Sequence, residues 1–68
     1  MNKDRAWMRR RRRQLGMTQA ELAQKAGMAQ RTVAAYEAGE RTPRVPAAMR
    51  LGDALDEDWR KFYEEEKP

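Results

Sequence analysis

Sixty-eight residues with a net charge of +4, no cysteine and no histidine allow one domain around one small core, with no disulfide or thiolate metal site to staple it. Apolar runs are only a few residues long, too short to span a bilayer, and the run Arg9 to Arg13 excludes the apolar centre of a signal peptide, so a cytoplasmic protein is the default. Serine is absent too, which removes the usual general base and the two commonest nucleophiles together; so short a chain has little room for a pocket that would perturb its carboxylates, and neither an enzyme nor a cofactor is expected.

Five helical stretches are expected, with no strand-like alternation. The first runs from about Asp4 to Leu15 and stops at Gly16. Met8, Arg12 and Leu15 fall at i, i+4 and i+7, on one inward face. Consecutive Arg9 to Arg13 point all round the helix, so most of them are solvated or phosphate-facing. Arg12 alone looks inward, and a buried guanidinium there needs a carboxylate partner.

The second helix opens with a capping box, Thr18-Gln-Ala-Glu21, in which hydroxyl and carboxylate each accept from the other residue's amide. Leu22, Ala23 and Ala26 form its apolar stripe, and Gly27 ends it. The third runs from about Gln30 to Ala38 and ends at Gly39, with Val33, Tyr36 and Glu37 inward and Arg31, Ala34, Ala35 and Ala38 outward. Pro43 and Pro46 bracket the next boundary.

The fourth helix is expected from about Val45 to Leu55, with Val45, Ala48, Met49, Gly52 and Leu55 facing in. Gly52 signals close approach of a neighbouring helix. Asp56-Glu-Asp58 suits a helix start, and Trp59, Phe62 and Tyr63 form a last amphipathic turn or two ending in Glu64 to Glu66. That trio reads as core closure, since acidic neighbours would repel a nucleic acid.

Charge is divided unevenly. Residues 1–50 carry 12 Lys and Arg against 4 Asp and Glu, whereas residues 51–68 carry 3 against 7, so a body of +8 is joined to an end of −4. A basic body suits a polyanion, nucleic acid or an anionic membrane surface. The segment Gln19 to Glu37 favours the first: a capped helix, Gly27 and a second short helix make a helix-turn-helix, whose steep crossing demands a small contact. Ala23 supplies the small side, Val33 the knob, and Met28 plugs the turn.

Gln19-AELAQKAG-Met28, with Val33, Tyr36-Glu37, Gly39 and Pro43, resembles the Xre-type (Cro/CI) helix-turn-helix family, to which the small lambdoid phage repressors belong. The resemblance covers about residues 8–62. It implies an all-α, compact five-helix bundle, lambda-repressor-like, with the helix-turn-helix at helices 2 and 3, and a single domain over residues 1–68 with its core at about 4–65. It implies a prokaryotic or phage regulator of transcription, a repressor that binds double-stranded DNA, with a homodimer on a two-fold operator, no membrane and no small-molecule ligand. By the same resemblance Arg12 and Glu37 form a buried ion pair. Thr18 and Gln19 contact phosphate, and Gln19 touches the nearest base. Gln30 and Arg31 open the recognition helix, which also carries Thr32 and Ala35. Arg41 and Arg44 follow the backbone or approach the minor groove. Gln suits adenine and Arg suits guanine in bidentate pairing.

The chain departs from the family pattern in four places. Arg11 stands where relatives often carry Leu or Ile. Ala29 replaces the usual Ser or Thr, which forfeits a cap of about 1 kcal/mol. Ala35 replaces a frequent Gln and offers only a methyl contact to thymine. Asp56-Glu57 replaces a common Gly-Val. Two other readings stay open: an autoregulating antitoxin that holds a protein partner through Trp59 to Glu66, and an architectural binder without sequence preference.

Overall fold

The computed structural model describes residues 4–64 as five helices: α1 (Ala6–Gln14), α2 (Gln19–Ala26), α3 (Gln30–Glu37), α4 (Val45–Leu55) and a short α5 (Lys61–Glu64). No strand occurs among the described residues. Glu65 and Glu66, expected to end the last helix, and both ends of the 1–68 domain span lie outside them.

α2 is central, packing against both α3 and α4. Its start is fixed by the capping box: the Glu21 amide donates to Thr18 Oγ1 at 3.1 Å, and the Thr18 amide to Glu21 Oε1 at 2.8 Å. Its end is fixed by Gly27, whose φ of +71° strains any residue with a Cβ. That conformation lets the Met28 amide reach Ala23 O at 2.9 Å and closes the last turn.

The core gathers Met8, Leu22, Ala23, Ala26, Val33, Tyr36, Ala48, Leu51, Ala54, Leu55 and Phe62. Phe62 is buried, and Trp7 meets it edge-on with ring centroids 5.0 Å apart. Trp59 and Tyr63 pack against the same cluster, and the Tyr63 hydroxyl donates to Pro43 O at 2.7 Å. The aromatic trio thus closes the core.

Three expectations need correction. Leu15 is 41% exposed, because α1 ends at Gln14 and Leu15 is its cap, turned off the inward face. On α4, Val45 and Met49 are 45% and 46% exposed, while Leu51 and Ala54 are buried with Ala48, Gly52 and Leu55. Apolar residues occur nearly all round α4, so packing on α2 chooses the buried face where periodicity does not. Gly52 is needed by the chain that doubles back after α4. A Cβ there would lie 2.8 Å from Glu57 O and 3.1 Å from Trp59 Cβ, and neither belongs to a neighbouring helix.

Asp56 also differs from expectation. It terminates α4 in the left-handed region at φ +55°, and Asp58 provides the following start, accepting from the Arg60 amide at 3.0 Å. That bond and the Arg60 side chain hold the Asp58 carboxyl below its ordinary value of 3.8.

Candidate nucleic-acid interface

The arginine run is sorted by its tertiary partners. Arg9 pairs with Asp4, and this hydrogen bond lowers the Asp4 carboxyl below its ordinary range. Arg11 donates through Nε to Leu55 O at 2.9 Å, and lies 3.6 and 3.7 Å from the carboxylates of Asp56 and Glu57. Two of the departures from the family pattern therefore meet: Arg11 closes the C-terminus of α4 where Asp56 and Glu57 add negative charge. Arg10 and Arg13 are exposed.

Arg12 is buried and pairs with Glu37 through two bonds, Nε to Oε2 at 2.7 Å and Nη2 to Oε1 at 3.2 Å. Glu37 is 1% exposed. The remaining Arg12 nitrogen donates to Met17 O at 2.9 Å, so one guanidinium joins α1, the α1–α2 turn and α3. Such fork geometry gives Arg12 a specificity that Lys would lack. Gln19 joins this network, its Nε2 donating to Glu37 Oε1 at 3.1 Å. The amide keeps a second N–H and its carbonyl for an outside partner.

Around this anchor the other candidates divide. Thr18 is exposed, with its hydroxyl held by the capping box. Gln30 and Arg31 are exposed in the first turn of α3, and Thr32 and Ala35 are half-buried on the same helix. Ala29 takes an extended N-cap conformation without a side-chain cap bond; its carbonyl accepts from the Thr32 amide at 3.0 Å, and the Gln30 and Arg31 amides are left for water or an outside acceptor. Arg41 and Arg44 are exposed in the loop from α3 to α4, and Arg44 is the N-cap of α4.

Arg5 escaped the sequence reading. It is 3% exposed, and its guanidinium donates to Tyr36 O, Arg41 O and Thr42 Oγ1. It precedes the first helical turn among many arginines, and no local pattern marks it as buried.

The comparisons fit this geometry. The family model described as Helix-turn-helix matches residues 8–62, most of the chain, and the chain belongs to this Xre-type (Cro/CI) family. A Bacillus subtilis (strain 168) protein named as an uncharacterized HTH-type transcriptional regulator, YqaF, is 33% identical over 61 residues, covering 90% of this chain and 80% of its own length. An uncharacterized HTH-type transcriptional regulator of Methanothermobacter thermautotrophicus is 39% identical over 51 residues, covering 75% of this chain and 74% of its own. No solved structure matches significantly. No helix among the described residues is long and apolar enough to cross a membrane.

Proposed function

We propose that this chain is a sequence-specific, double-stranded-DNA-binding transcriptional regulator, acting as a repressor, and that α3 reads the major groove. The observation that carries the reading is the state of the first turn of α3: Gln30 and Arg31 are exposed and Ala29 leaves the turn uncapped. Major-groove readers present these N-terminal residues of the second helix to base edges. Gln30 has the donor and acceptor pair that suits adenine, and Arg31 the fork that suits guanine O6 and N7.

In this scheme Thr18, Gln19, Arg41 and Arg44 are the phosphate contacts, Arg41 and Arg44 from the loop beyond the far end of α3, and Gln19 also touches the nearest base. Phosphate contacts fix register and supply salt-dependent affinity without reading sequence. Repression follows from occupancy, because a domain seated in a promoter's groove excludes other proteins from it. A homodimer on a two-fold operator is part of the proposal, with half-sites about one helical turn apart.

Selection of bound duplexes from a random pool tests the reading and returns the site, its symmetry and its spacing together. A defined consensus is expected, with affinity falling steeply between low and physiological salt. A scrambled duplex competing as well as the selected one would replace the regulator with an architectural binder. A flat salt response would remove the electrostatic basis of either.

A further inference from the structure

Arg5 joins the C-terminal end of α3 to the loop that follows it. Its Nη1 donates to Tyr36 O, in the last turn of α3, at 2.6 Å and to Arg41 O, in the loop beyond, at 2.7 Å. Its Nη2 donates to Thr42 Oγ1 at 3.0 Å, and its backbone N–H to Glu37 O at 2.8 Å. The guanidinium carbon lies 5.6 Å from the centroid of the Phe62 ring, a cation–π contact with α5. The C-terminal carbonyls of a helix carry partial negative charge and lack partners within it, so a buried Arg is stabilised there.

The same guanidinium also grips the loop from outside α3. Between Gly39 and α4 the backbone carries Arg41 and Arg44, both exposed. Two further bonds hold the ends of the loop, the Glu40 amide on Ala35 O and the Tyr63 hydroxyl on Pro43 O. Arg5 holds the residues between them.

We infer that Arg5 is a positioning residue for the Arg41–Arg44 loop: it fixes this backbone against α3, so that loop and recognition helix address a duplex in one register. The inference rests on the proposed phosphate contact of Arg41. A plain helix cap would affect melting alone, whereas a positioning residue also governs what Arg41 contributes to binding.

The test uses the full chain and the selected duplex, well below the melting midpoint of each variant. Arg41→Ala is expected to lower the salt slope by about one unit. Arg5→Met should produce a similar loss, and Arg41→Ala should add almost nothing in the Arg5→Met background. Arg31→Ala should keep its full effect there. Equal effects of Arg41→Ala in both backgrounds would overturn the inference. In the DNA-free protein, backbone order parameters at residues 40–42 should fall in Arg5→Met from near 0.85 to below about 0.6 while α2 stays rigid. Unchanged order at those residues would also overturn it. Should Arg41→Ala be silent in the parent, the phosphate assignment fails and the relaxation measurement alone decides the role of Arg5. If Arg5→Met does not fold, Thr42→Val removes one acceptor of the guanidinium and should show the same coupling with reduced size.

Discussion

α2 and α3 are both eight residues long and pack on each other, yet they are held in opposite ways. α2 is closed at both ends, by Thr18 and Glu21 at its start and Gly27 at its finish. α3 has no side-chain cap at its start, and its far end is gripped by the Gly39 amide on Tyr36 O, by Arg5 on Tyr36 O and Glu37 O, and by Arg12 and Gln19 on the Glu37 side chain. α3 is thus fixed at one end and open at the other. The open end carries Gln30 and Arg31. The reading role proposed for α3 requires a rigid helix that keeps donors for an outside partner, and this division meets both demands.

The harshest way to break the comparison is to release the fixed end. Glu37→Ala leaves Arg12 buried without its carboxylate, and should cost about 3–5 kcal/mol in chemical denaturation, a large part of the stability of so small a domain. Melting within a degree or two of the parent would mean that the pair does not hold α3.

Smaller changes exchange the properties of the two N-termini. Thr18→Ala should cost, and Ala29→Ser should add, roughly 0.5–2 kcal/mol. Ala29→Ser without any gain would show that the start of α3 is already satisfied. Asp56→Gly places glycine in a left-handed position and should stabilise by up to about 1 kcal/mol. Its contact with Arg11 spans 3.6 Å from a side chain that is 92% exposed, so little is lost. A loss of stability would show that charge at this position outweighs backbone strain.

The smallest effect is one of pH. The folded Asp58 carboxyl is held below 3.8, chiefly by the Arg60 amide. A lowered folded value means that its contribution is present above the ordinary carboxylate range and is lost as pH falls through the lowered value. Asp58→Asn should therefore narrow the difference in melting temperature between neutral and strongly acidic buffer, and an unchanged difference would remove this residue from the acid response.

Local chemistry made much of this legible in advance. The Thr18–Glu21 box, the stop at Gly27 and the uncapped Ala29 are written within a few residues of chain, and helical phase alone turned Arg12 inward. What was not legible depends on tertiary contact. Val45 and Met49 satisfy the same spacing rules as Leu51 and Ala54, and only packing on α2 decides between them. Arg5 has no signature, because its acceptors are backbone carbonyls more than thirty residues away. The meeting of Arg11 with Asp56 and Glu57 was visible as two separate oddities, and only the fold joined them.

The central claim is that the open end of α3 reads bases while the loop beyond its fixed end holds the backbone. Competition titration of Arg31→Ala and Arg41→Ala against the selected duplex and its single-base substitutions tests this directly. Arg31→Ala should cost about 1–3 kcal/mol at the preferred site and flatten discrimination at one or two positions in each half-site. Arg41→Ala should weaken every duplex alike and leave the order of preference intact. Full base preference retained by Arg31→Ala would contradict the assignment of α3 as the reading element.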